Sequence, residues 1–137
     1  MEDTLRKLRQ SFKNLERALS RLEEALQEDE KNSLMVDGTI QRFEFTIEIY
    51  WKTLKRLLLS EGIEAKTPRE TLKEAYQAGW LADEEAWLQM LKDRNETSHI
   101  YDEEMALRIL HNIQRYFPEM KTTFLNLKGR YETKWMG

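Results

Sequence analysis

"LRKLRQSFKNLERALSRLEEAL", Leu5 to Leu26, places Leu5, Leu8, Phe12, Leu15, Leu19, Leu22 and Leu26 at alternating spacings of three and four residues. Apolar residues at that period form one stripe along a helix, and Lys, Arg and Glu fill the remaining face. Asp3 or Thr4 can cap the start, and the polar run "QEDEKNS", Gln27 to Ser33, ends it. A helix of about 26 residues is roughly 39 Å long, so it must lie along a partner of similar length.

That partner follows in the chain. From Val36 to Ser60, Ile40, Phe43, Ile47, Trp51, Leu54 and Leu58 keep helical spacing. Asp37 can cap near the start, and Gly62 suits the position just past the end. Phe45, Ile49, Tyr50 and Leu57 widen the apolar surface beyond one stripe, which predicts burial on more than one side. The aromatics Phe43, Phe45, Tyr50 and Trp51 are expected in the core rather than as base-stacking platforms. "TPRE", Thr67 to Glu70, has the form of a capping box with proline at the first helical position, and its helix runs to about Gln77 before Gly79. Asp83 caps a fourth helix that turns Trp87, Leu88 and Leu91 inward. A fifth begins at Asp102, with Met105, Ile109, Ile113, Tyr116 and Phe117 apolar, and Pro118 stands as a kink or as the restart of a last segment carrying Met120, Phe124, Leu127 and Tyr131. The reading is a single all-α domain over residues 1–137, an antiparallel up-and-down bundle of about five helices.

Composition bounds the function. The 137 residues contain no cysteine, which excludes disulfides, thiolate zinc sites and cysteine nucleophiles. The two histidines do not sit at ligand spacing, so no metal site is expected. No apolar run approaches the roughly 20 residues of a membrane span, and no hydrophobic leader follows Met1. A cytoplasmic location without membrane contact is expected. The net charge of −3 gives no overall field for nucleic acid. Basic residues nevertheless gather late in the chain: Arg108, Arg115, Lys121, Lys128, Arg130 and Lys134 outnumber Glu119 and Glu132. They form either a solvated helix face or a local RNA-binding patch.

One stretch carries chemistry-bearing side chains together: "DRNETSHIYDEE", Asp93 to Glu104. On one continuous helix Arg94 and His99 would point about 140° apart, at 100° per residue. Asp102, Glu103 and Glu104 look like a new helix start. The fourth helix is therefore expected to stop between Arg94 and Thr97, with His99 in the turn, where a side chain can be aimed at a ligand. From residue types alone, a solvated connection between two helices explains the stretch as well. His111, within the fifth helix beside Leu110, is expected to be structural or simply exposed.

"RNETSHIY" resembles the R-x4-H-x-Y motif of the HEPN superfamily, in the positions Arg94, His99 and Tyr101, with Asn95 matching the polar residue that often follows the arginine. "DGTIQRFEFTIEIYWKTLKRLLLSEG", Asp37 to Gly62, resembles the second helix of its prokaryotic branch, described as nucleotidyltransferase substrate-binding proteins. The resemblance implies a homodimeric bundle that acts as a metal-independent endoribonuclease toxin. Its partner is a minimal nucleotidyltransferase antitoxin, which silences it by adenylylating the motif tyrosine, here Tyr101. RNA is the implied substrate, with Arg94, Asn95 and His99 catalytic and no cofactor required. The residue types suit that chemistry: a histidine exchanges protons near neutral pH, and an arginine offers a forked permanent charge to phosphate oxygens. Among the polar positions Gln41, Arg42, Glu44, Thr46 and Glu48 of the second helix, Arg42 is the preferred additional phosphate contact. Two other readings stand beside this one. The chain can be a non-catalytic substrate- or nucleotide-binding subunit of a nucleotidyltransferase complex, or a purely structural dimerisation module.

Overall fold

The computed structural model describes residues 2–136, with the side chains of 3–132. Among these residues five helices follow one another: α1 (Glu2–Leu26), α2 (Ser33–Ser60), α3 (Pro68–Gln77), α4 (Glu84–Glu96) and α5 (Glu103–Met136), with a single 3₁₀ turn at Thr97–His99 between the last two. No strand occurs among the described residues. The heptad stripe of α1 becomes the inner seam: Leu8, Phe12, Leu15, Leu19 and Leu22 are buried, and Leu5 and Leu26 are half-buried at its ends.

α2 packs against all four other helices, as its broad apolar surface predicts. It runs antiparallel to α1: the Arg42 guanidinium donates to the Arg21 carbonyl at 2.7 Å, and Arg56 reaches Ser11 at 3.3 Å. α5 lies parallel to α2, with Phe43 against Tyr116 and the Tyr50 hydroxyl donating to the Met120 carbonyl at 2.8 Å. It lies antiparallel to α1, where Lys121 and Lys128 pair with Glu23 and Glu16 at 2.8 Å. These two lysines of the late basic run therefore close a helix seam. Lys134 lies outside the described side chains.

The caps follow from local chemistry. Thr67 accepts from the Glu70 N–H at 3.1 Å, Asp83 from Ala86 at 3.2 Å and Asp102 from Met105 at 2.8 Å. Gly62 and Gly79 both take φ +83°, which lets the next residue's N–H reach back five positions, from Ile63 to Leu58 and from Trp80 to Ala75.

Four expectations need correction or completion. α2 starts at Ser33, capped by Asn32, which accepts from Leu34; Asp37 is therefore an interior, exposed residue. Pro118 lies inside a helix that continues without restarting to Met136. In α4 Trp87 is buried and Leu88 and Leu91 pack half-buried against the core, but the inward face also takes Met90 and Asp93, which the apolar reading left out. Phe45 is 67% exposed in the middle of the central helix, whereas Phe43 and Tyr50 are fully buried and Trp51 is half-buried.

Candidate active site at the α4–α5 corner

The last turn of α4 is fixed from inside. Asp93, 1% exposed, is turned into the bundle, where it accepts from the Tyr116 hydroxyl at 2.6 Å, Asn112 at 3.1 Å and Gln89 at 3.0 Å. Burial first, and then this hydrogen bond, pushes the Tyr116 hydroxyl well above its ordinary range. A carboxylate held by several donors fixes the rotation of α4 about its axis. The next residue, 100° further round the helix, is Arg94.

Arg94 emerges toward α2. Its Nη2 lies 2.8 Å from the Glu48 carboxylate, and its Nη1 donates to Asn95 Oδ1 at 3.2 Å. Glu48 also accepts from the Trp51 indole at 3.1 Å and lies 3.4 Å from Lys52. Partial burial alone would raise the Glu48 carboxyl. The Trp51 hydrogen bond and the charges of Arg94 and Lys52 outweigh it and hold the carboxyl below its usual range. Arg94 is thus oriented by an ionised partner while 38% of its side chain stays accessible.

Helix α4 ends at Glu96, within the expected interval, and the chain tightens into Thr97–His99. The Thr97 hydroxyl donates to the Arg94 carbonyl at 2.7 Å, which satisfies one of the orphaned acceptors at the helix end. Ile100 takes an extended conformation and packs against the core, pinning the turn between the helices. His99 and Tyr101 flank this anchor and are both exposed, with Tyr101 at 84%. The His99 side chain makes no hydrogen bond among the described residues.

The motif therefore gathers as Arg94 and Asn95 in direct contact, with His99 and Tyr101 on the same corner a few residues on. Arg42 lies elsewhere, on the α1 side of α2, bound to the Arg21 carbonyl. His111 is half-exposed, 3.5 Å from Glu30, in line with a surface role. Glu48 was legible only as one polar residue among five in its helix. Its spacing carries no sign of Arg94, since the pairing bridges 46 residues of sequence. Among the described residues no three His, Asp or Glu side chains are grouped to hold a metal ion.

A five-helix bundle with an arginine, a histidine and a tyrosine displayed at one helix corner defines a HEPN-like protein. The chain belongs to the family described as nucleotidyltransferase substrate binding protein like, which it matches over residues 10–129. It is similar to a protein of Haemophilus influenzae named probable ribonuclease HepT, 32% identical over 101 residues, covering 70% of this chain and 69% of that one. A crystal structure of a Thermus thermophilus protein superposes with a TM-score of 0.71 at 33% identity, over 85% of this chain and 97% of the other. A second structure, from Haemophilus influenzae, is described as revealing the fold of a substrate binding domain of a nucleotidyltransferase. It superposes with a TM-score of 0.66 at 27% identity, over 90% of this chain and 98% of the other.

Proposed function

We propose that this chain is a metal-independent endoribonuclease, the toxin of a two-gene toxin–antitoxin system, silenced when a partner minimal nucleotidyltransferase adenylylates Tyr101. The observation that carries the reading is the contrast in exposure among its tyrosines. Tyr50, Tyr116 and Tyr131 are buried with their hydroxyls bonded and Tyr76 is 43% exposed, whereas Tyr101, two residues from His99, is 84% exposed, the most of the five. A hydroxyl displayed in that way is available to another enzyme's active site. Similarity to a protein named a probable ribonuclease supports the activity.

In this reading the RNA 2′-hydroxyl loses its proton to a histidine and attacks the adjacent phosphorus. The 5′-oxygen leaves with a proton, and a 2′,3′-cyclic phosphate remains. His99 moves the protons, Arg94 neutralises the charge on the pentavalent phosphorane, and Asn95, bonded to Arg94, steadies its guanidinium. One chain brings one motif histidine, while the reaction uses both an acid and a base. A homodimer with its two corners facing one cleft supplies two, because a two-fold interface presents each patch twice. The AMP group adds bulk and negative charge in front of Arg94 and repels an RNA phosphate. With RNA and a nucleotidyltransferase as its partners, the protein works in the cytoplasm.

Induced expression of the chain, beside His99→Ala, tests this reading directly. Growth arrest and new 2′,3′-cyclic phosphate ends should appear with His99 and vanish without it. Absence of both with the wild type sinks the ribonuclease. The second reading, a non-catalytic substrate-binding subunit of a nucleotidyltransferase complex, draws on the family's description and on Glu48, which already neutralises Arg94. It predicts that His99→Ala changes no RNA end.

A further inference from the structure

Phe45 is the misplaced residue of α2. A phenylalanine 67% exposed in mid-helix leaves a large apolar face in water, where packing offers no reason for it. It stands at one wall of a surface groove of about 340 Å³ between α1 and α2. That volume falls in the range of small-ligand clefts, roughly 300–1,000 Å³. Ala18 and Gly38 line it, and a Cβ built on Gly38 would meet nothing within 4 Å, so the space over the helix is open.

The polar side chains of the groove are Arg21, Arg42, Gln41 and Thr46, whose hydroxyl donates to the Arg42 carbonyl, and no carboxylate lines it. Four other surface grooves each contain at least one acid: Glu16, Glu30, Asp3 and Glu24 among them. On a chain of net charge −3, an acid-free groove with two arginines is a local attraction for anions. Arg42 is already ordered, its Nη1 held at 2.7 Å by the Arg21 carbonyl, and its other N–H groups carry no bond among the described residues. An arginine fixed beforehand loses less freedom when it binds.

Along α2 the groove and the corner lie within two short steps of one another. Glu48, Phe45 and Arg42 follow at steps of three residues, each about 4.5 Å along α2 and 60° round it. A strand whose phosphate sits at Arg94, beside Glu48, therefore passes Phe45 before it reaches Arg42.

We propose that this groove binds the nucleotide flanking the cleaved bond in single-stranded RNA, with its base stacked on Phe45 and its phosphate held by Arg42 and Arg21. Aromatic stacking accepts any base, so the groove adds affinity without strict sequence choice. The proposal rests on the ribonuclease reading and assigns it a substrate track.

The test is fluorescence anisotropy with a labelled eight-nucleotide single-stranded RNA, in a His99→Ala parent so that the RNA stays intact, at several salt concentrations. Phe45→Trp should bind as the parent does, and Phe45→Leu about tenfold more weakly, with an unchanged salt slope. Arg21→Gln should reduce the salt slope by about 0.7, the share of one phosphate on a single strand. Equal binding by Phe45→Leu overturns the groove, as does a Phe45→Leu protein that loses its dimer by light scattering, because Phe45 is then a protein contact. No RNA binding by the parent overturns it too. Cleavage by the chain with His99 intact is scored separately. Cleavage with indifferent groove variants ends this proposal alone, and absence of cleavage ends the ribonuclease reading.

Discussion

Asp93 and Arg94 are neighbours in the chain and opposites in the fold. Asp93 looks inward, almost fully buried, and accepts three hydrogen bonds from Gln89, Asn112 and Tyr116. Arg94 looks outward, with one side fixed by Glu48 and Asn95 and more than a third of its side chain still in solvent. The inner set is a satisfied network, and satisfied buried networks hold a structure in one arrangement. The outer set keeps donors, a histidine and a tyrosine hydroxyl available. One helix turn thus separates what keeps the bundle folded from what the bundle displays, and the first fixes the rotation of the second.

The largest effect is expected for His99→Ala. RNA cleavage should fall by about 10²–10⁴-fold, the usual contribution of a proton-transferring side chain, while the urea midpoint stays in place. Asp93→Ala is the reverse experiment. It leaves the Tyr116 hydroxyl and the Asn112 amide without their acceptor, so urea titration should report a loss of roughly 3 kcal/mol in folding stability. If Asp93→Ala were as stable as the wild type, the inner network would have no structural role.

Alkaline titration sharpens the same division. Burial first raises the hydroxyls of Tyr50, Tyr116 and Tyr131 above the ordinary value of 10.0, with Glu119, Asp93 and Glu61 adding to it respectively. A raised folded value means that the fold favours the neutral form. Stability is therefore complete below pH 10 and falls as pH rises above it, by about 1.4 kcal/mol per pH unit for each tyrosine. Tyr116→Phe should remove one tyrosine's share of that slope in urea titrations between pH 9 and 11.

Smaller still is Glu48→Gln, which removes the charge that orients Arg94. We expect about a tenfold loss in cleavage and a stability change within about 1 kcal/mol, because the pair is partly solvated. Tyr101→Phe should change neither stability nor intrinsic cleavage. Its effect appears only with the partner present, where the variant should stay toxic in a growth assay and incorporate no labelled AMP.

Much of the architecture was legible because it is local. The α1 stripe, the caps Thr67, Asp83 and Asp102, and the stops at Gly62 and Gly79 each depend on a few consecutive residues. The break after Arg94 was legible for the same reason, since Asp102 with the following acids announces a new helix. What misled was also local evidence. Pro118 left a restarted helix open beside a kink, yet α5 continues through it, packed along α1, α2 and α4. Asp37 is a good cap residue, but Asn32 came first and α2 had already begun.

The pattern of residue types determined the helices, their order and the short motif of Arg94, His99 and Tyr101. Packing between distant segments set which neighbours those residues meet. Glu48 finds Arg94 across 46 residues, Asp93 finds Tyr116 across 23, and Phe45 is left outside because four helices cover the other faces of α2. Helical periodicity says which side chains share a face. It does not say what that face will meet, because the choice is made by packing between segments far apart in the chain.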